Sequence, residues 1–274
     1  MMPRLCILAL AIVATMVVRG ASAQSCDDRY PWTCQGYVAP PSYGGRPGGL
    51  FAPPQRGPLE LSPDVQPSER MTRPGDTIES LDPASRSRYA ALYAPMRGER
   101  FPIPEVDLSE IGAEYLRKSV DYPTREPPGT IVIDPRNRFL YLVQGGGRAV
   151  RYGIGVGRQG FGWSGVATVR SKQEWPDWYP PKEMIQRQSE LRRQLSQLQS
   201  GLGMRGGPRN PLGSRAMYLW QGNKDTLYRI HGTVEPWTIG TSVSSGCIRM
   251  INQDAIDLYQ RTPVGTKVVV LSAR

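Results

Sequence analysis

The sequence predicts a mainly β domain with one or two helices, preceded by a Pro/Gly-rich arm that is mostly disordered. Three observations predict it. Residues 24–118 hold 14 of the 26 prolines, in runs such as YVAPPSYGGRPGGLFAPPQRGP, and such a chain cannot sustain hydrophobic periodicity. From about residue 127 the pattern changes to short β-branched and aromatic runs cut by tight turns. Helical spacing returns in only two later stretches.

In chain order, TIVID (130–134) and RFLYLV (138–143) flank the turn PRN and read as a hairpin. AVRYGIGVG (149–157) is a third strand, and VATVRSKQEW (166–175) is a fourth that PDWYPP ends. Over 182–202 the period changes: Met184, Leu191, Leu195, Leu198 and Leu202 fall at helical spacing. That stripe suits a lid over a cleft or ordinary core packing. GGPRNPLG (206–213) is a loop, and AMYLW (216–220) and TLYRIHGT (226–233) are strands. Asn252 is the expected N-cap of a helix over 253–261, with Asp254 well placed in its first turn. KVVVL (267–271) closes the chain as a buried strand. About 150 such residues suffice for one β-rich core. Within the arm, 84–94 and 107–118 read as short helices. The domain boundary falls at 118/119, so a chain beginning near residue 119 is expected to fold.

At the amino terminus Arg4 precedes the uncharged run LCILALAIVATMVV (5–18), and ASA (21–23) follows it. Basic start, apolar core and small-residue exit make a secretory signal over residues 1–23, cleaved after Ala23. The run is short against the roughly 20 apolar residues of a bilayer span, so the mature chain is read as exported with no integral span. An uncleaved anchor is the competing reading. The net charge is +10 and falls to +8 when Arg4 and Arg19 leave with the signal. Export and the lack of a nucleic-acid motif argue against nucleic acid as a partner, and most of this charge reads as a solvated basic surface.

Removal of the signal takes Cys6 and leaves Cys26, Cys34 and Cys247, an odd number in a chain bound for an oxidising compartment. Cys26 and Cys34 are close enough in sequence to bridge each other, which leaves Cys247 as a thiol. Three cysteines and His231, the chain's one histidine, nominally make a Cys3His set. No pair has the two-to-four-residue spacing that structural zinc favours, so neither metal nor cofactor is expected. A thiol gains nucleophilicity when an imidazole takes its proton, which makes Cys247 and His231 a minimal kit for acyl transfer. Gly246 lets the backbone approach a substrate closely, and the amides of Gly246 and Cys247 are candidate oxyanion donors. Arg249 shares the Cys247 face of an extended strand. It either favours the thiolate, holds a substrate carboxylate, or pairs structurally with Asp254 or Asp257.

HGT (231–233) followed by SSGCIRM (244–250) resembles the signature of the L,D-transpeptidase catalytic domain, or YkuD, family. The likeness extends over roughly 119–273 and includes PGTIVID, WPDWYPP and NPLGSRAMYLW. It implies an L,D-transpeptidase-like β-sandwich with Cys247 as nucleophile and His231 as base. It further implies that the Gly232 carbonyl orients the imidazole and that Arg249 supports the site. Ser245 stands where many members carry a second histidine. The implied reaction cleaves D-Ala from a peptidoglycan tetrapeptide stem and passes the acyl group to an amine of another stem or of an envelope protein, in the periplasm or cell envelope. An L,D-carboxypeptidase and a non-catalytic wall-binding module are the alternatives.

Overall fold

A computed structural model describes residues 74–157, 163–187, 189–244 and 247–272. The expected signal segment, the arm up to residue 73 and both Cys26 and Cys34 lie outside them. Among the described residues no helix is long and apolar enough to cross a membrane.

The strands are β1 (Lys118–Asp121), β2 (Ile131–Asp134), β3 (Phe139–Val143), β4 (Arg148–Gly153), β5 (Val156–Gly157) and β6 (Gly165–Glu174). After them come β7 (Ser196–Leu198), β8 (Gly201–Gly203), β9 (Arg215–Gln221), β10 (Lys224–His231), β11 (Ser242–Ser244), β12 (Ile248–Arg249) and β13 (Lys267–Val270). The helices are α1 (Pro83–Leu92), α2 (Lys182–Arg187), α3 (Ser189–Gln194) and α4 (Asn252–Arg261). Nine strands form one sheet in the order β1-β4-β3-β2-β13-β6-β9-β10-β12. Its pairs are antiparallel except β2–β13 and β10–β12. Ile131, Leu140 and Tyr152 from one half share a single buried cluster with Val169, Met217, Ile230 and Ile248 from the other. The sheet therefore buries its apolar face in one shared core and makes the expected mainly β fold, with α2, α3 and α4 in the stretch where one or two helices were expected.

The expected strands form, except that 149–157 is divided into β4 and β5 of two different sheets; each β-branched run can bury one face of a pleat. Three local expectations change. The helical stripe at 182–202 stops at Gln194, and Ser196–Leu198 then pairs with Gly201–Gly203. Gly201 turns that hairpin at φ +116, a backbone conformation L side chains rarely adopt. Residues 107–118 form two 3-10 turns, Leu108–Glu110 and Ala113–Tyr115, before entering β1. At the last helix Ile251, not Asn252, occupies the N-cap position, and the Asn252 amide works elsewhere.

The largest difference concerns residues 74–118. Tyr89, Tyr93, Ile111, Ala113 and Leu116 are buried in a cluster with Ile239 and Ile251 of the domain proper. The Gln253 amide nitrogen donates to the carbonyls of Tyr93, Ala94 and Pro104. Glu99 takes two hydrogen bonds from the Arg215 guanidinium, at 2.7 and 2.9 Å. This stretch belongs to the folded unit, and the boundary expected at 118/119 does not separate spacer from domain here. Proline prevents a segment from building its own ladder. It does not prevent the apolar side chains between prolines from packing on a surface another segment supplies.

Candidate active site

Strand β10 lies between β9 and β12. It pairs Arg229 with Tyr218 and His231 with Ala216 on one side, and His231 with Arg249 on the other. Ile230, Met217 and Ile248 point into the core and are at most 1% exposed. Side chains alternate along a strand, so Arg229, His231, Tyr218 and Arg249 share the opposite face. Cys247, immediately before Ile248, belongs to that same face. The β10–β12 pair is parallel, so the chain makes a crossover from Gly232 to Cys247. That crossover contains the 3-10 turn Pro236–Thr238.

His231 is 3% exposed, and its Nδ1 lies 2.5 Å from the Gly232 carbonyl oxygen. A carbonyl only accepts, so Nδ1 carries the hydrogen and Nε2 keeps its lone pair. Burial pulls the imidazole pKa down to about 4; the Gly232 hydrogen bond opposes this, and Arg249 and Arg229 add to it. The ring is a neutral base of fixed tautomer.

The turn after His231 is held from α4. The Asn252 side-chain oxygen accepts from the Ser214 amide at 2.9 Å, and its nitrogen donates to the Thr233 carbonyl at 2.8 Å. The His231 carbonyl accepts from the Met250 amide at 2.8 Å. A side chain at position 232 would collide with the Asn252 amide and approach the Ser214 nitrogen to 3.1 Å. Glycine there lets Asn252 come this close.

Cys247 is half-buried and in no disulfide. Burial pushes its thiol pKa up, and Asp225 pushes the same way; Arg229, by its charge and a backbone hydrogen bond, and Arg249 pull it down. Arg229 donates to both Asp225 carboxylate oxygens at 2.7 Å and sits 4.6 Å from the Tyr218 ring centroid. Burial raises Tyr218 to about 12, and Cys247 contributes to that rise. Tyr228, raised by burial and then by Cys247, stacks on Trp163 with centroids 5.7 Å apart.

Arg249 donates to Glu235 at 2.9 Å. The expected partners Asp254 and Asp257 are instead taken by Arg117, at 3.5 and 2.9 Å. Ser245 and Gly246 lie outside the described residues, so the expected oxyanion pair has no structural account beyond Cys247. Sequence reasoning missed Arg229, Asp225, Glu235 and the bridging role of Asn252. Arg229 was within reach of it, since positions 229 and 231 share a face by period two. Asp225 was not, because only a bulge brings it round. The assembled set, a neutral imidazole and a thiol on one face with two guanidinium groups, can move a proton off sulfur and stabilise the charge that results.

Residues 128–270 match the L,D-transpeptidase catalytic domain family, YkuD. The probable L,D-transpeptidase ErfK/SrfK of Escherichia coli K12 is 31% identical over 188 residues, which are 66% of this chain and 52% of that protein. Its YbiS counterpart is 32% identical over 144 residues, 51% of this chain and 43% of that protein. The chain thus spans about half the length of the curated relatives it matches. Among solved structures, a chain titled a probable carnitine operon oxidoreductase from Brucella melitensis is 56% identical. It covers 59% of this chain and 96% of that one at a TM-score of 0.40. The match over 128–270 takes in the β10–β12 face with His231, Cys247 and Arg249, and the chain belongs to the L,D-transpeptidase catalytic domain (YkuD) family.

Proposed function

We propose that the chain is an exported cysteine L,D-transpeptidase acting on peptidoglycan tetrapeptide stems, with Cys247 as nucleophile and His231 as base. The observation that carries this reading is the fixed His231 tautomer, which leaves the Nε2 lone pair as the proton acceptor. Because thiol and imidazole are both held neutral by burial, proton transfer accompanies attack rather than preceding it. The sulfur attacks the carbonyl carbon between the L-centre of diaminopimelate and the terminal D-Ala, while Nε2 takes the thiol proton. The amides of Gly246 and Cys247 serve the developing oxyanion. The C–N bond then breaks, the imidazolium returns the proton to the leaving D-Ala amine, and a thioester remains. An acceptor amine attacks the thioester, gives its proton to His231, and Cys247 leaves as the thiol. Arg249, fixed by Glu235, supports the charge on sulfur.

Incubation of the purified mature chain with a disaccharide tetrapeptide, followed by mass spectrometry, tests this. The expected products are D-Ala and a cross-linked stem or a stem joined to a protein amine, all absent with Cys247→Ala. Tripeptide as the sole product in excess acceptor makes the protein an L,D-carboxypeptidase. No D-Ala at all makes it a wall-binding module.

A further inference from the structure

Strand β10 contains an irregularity that the proposed reaction scheme does not use. Its register with β9 shifts between Asp225 and Arg229, and Leu227 inside the shift has φ 63. A leucine in the left-handed region is uncommon, and such outliers persist where the surrounding structure over-determines them. Side chains replace the lost ladder here. The Asp225 carboxylate accepts from the Leu227 amide at 2.8 Å, Thr226 Oγ1 donates to the Leu219 carbonyl at 2.6 Å, and the Tyr228 amide donates to Thr226 Oγ1 at 3.2 Å.

The bulge has one geometric result. In a regular strand, residues four apart are separated by about 13 Å, too far for a direct contact between the Asp225 and Arg229 head groups. With the bulge, the Asp225 carboxylate grips the Arg229 guanidinium through two bonds of 2.7 Å. The guanidinium is fixed a third time by the Tyr228 carbonyl at 3.0 Å and a fourth by the Tyr218 ring. Tyr218 is itself anchored, its hydroxyl donating to Gln173 at 2.8 Å. Arg229 precedes Ile230 as Cys247 precedes Ile248, and Ile230 and Ile248 are register partners. The clamped cation therefore stands across from the thiol.

We propose that the bulge Asp225–Arg229 is a positioning device for the sulfur anion, Asp225 holding Arg229 where its charge acts on Cys247. The proposal rests on the reading of Cys247 as nucleophile. Bulges beside active sites re-aim a side chain in this way. The charged and titratable groups around the thiol are Arg229 and Asp225 of β10, Arg249 of β12, Tyr218 of β9, and Tyr228 and His231 of β10. Among the charges, Arg229 has the largest effect and Asp225 the smallest, as expected if the guanidinium end of the pair faces sulfur. Arg229 is a positioning residue, since it acts through Cys247.

The test is the rate of Cys247 alkylation by iodoacetamide against pH, read on the Cys247 peptide by mass spectrometry in the full mature chain. Arg229→Gln is expected to move the profile to higher pH and slow alkylation at pH 7 on the order of tenfold. Arg229→Lys, which keeps the charge without the two-pronged grip, should recover part of that loss. Asp225→Asn is the discriminating variant. It removes a negative charge, yet by releasing Arg229 it should shift the profile in the same direction as Arg229→Gln. Thermal unfolding of each variant confirms the fold, and if Arg229→Gln does not fold, the other two carry the comparison. A wild-type profile in Arg229→Gln, or a more acidic thiol in Asp225→Asn, overturns the proposal while the nucleophile reading stands. A Cys247 that is not alkylated at any pH in the wild-type chain overturns both.

Discussion

The hydroxyl of Tyr93 donates to the carboxylate of Asp254 across 3.1 Å, tying the segment before β1 to the helix that follows β12. The same hydroxyl accepts from the Arg117 amide at 2.7 Å, and the Arg117 guanidinium joins Asp254 and Asp257. The 74–118 stretch thereby completes a buried polar network whose other half is α4.

A chain beginning at residue 119 should therefore fail to show a cooperative unfolding transition, whereas one beginning near residue 74 should keep it. Truncation at 119 strips the apolar cover from Ile239 and Ile251 and leaves Asp254 without Tyr93 and Arg117. The milder variant Tyr93→Phe should cost about 1–3 kcal/mol, since it leaves buried groups without a partner. Chemical denaturation measures both.

Asn252→Ala should destabilise the fold by a similar ~1–3 kcal/mol, because it orphans the Ser214 amide and the Thr233 carbonyl. It should also lower turnover, since that bridge fixes the turn carrying the Gly232 carbonyl. A variant with unchanged Tm would remove Asn252 from this account.

As the proposed base, His231 should set the acid limb of activity. With its pKa pulled down to about 4 by burial, the imidazole remains a base well below the ordinary histidine value of 6.5. The kcat/KM profile should stay level from neutral pH down to about pH 5 and fall near pH 4. An acid limb centred at 6.5 would show that the ring is solvated in the working enzyme. His231→Ala should slow acylation about 10²–10⁴-fold with the fold retained.

Asp254 gives stability a slope of opposite sense. Burial, partly opposed by Arg117, raises its carboxyl from 3.8 to about 7. Between those values the folded chain keeps a proton that the unfolded chain has lost, so stability from this group falls as pH rises from about 4 to 7 and is level above. His231 contributes the reverse, with stability rising from pH 4 to 6.5. The difference between wild type and Asp254→Asn, taken at each pH by denaturant unfolding, isolates the first effect. A difference that does not change between pH 4 and 7 would show that Asp254 is ionised in the fold.

The strands from residue 130 onward were legible because a β-branched run flanked by turn residues encodes its own period, and period two alone also puts Cys247 with Arg249 and Arg229 with His231. The motif residues His231 and Cys247 were legible for a chemical reason: one imidazole and one odd thiol leave few assignments open. The 182–202 stripe misled because leucine spacing carries no information on where the chain reverses, which Gly201 decided. What the sequence by itself determined, then, is the β class, and it also singles out the pair proposed to react, His231 and Cys247. The tertiary structure alone decided which carboxylates Arg249, Arg117 and Arg229 meet. Glu235 meets Arg249 because the crossover brings it alongside, Arg117 holds Asp254 and Asp257, and Asp225 reaches Arg229 through a bulge that no periodicity announces. The same holds for residues 74–118. Their scattered aromatic and aliphatic side chains have no periodic signal, and they become core only when the sheet and α4 supply the surface that takes them out of water.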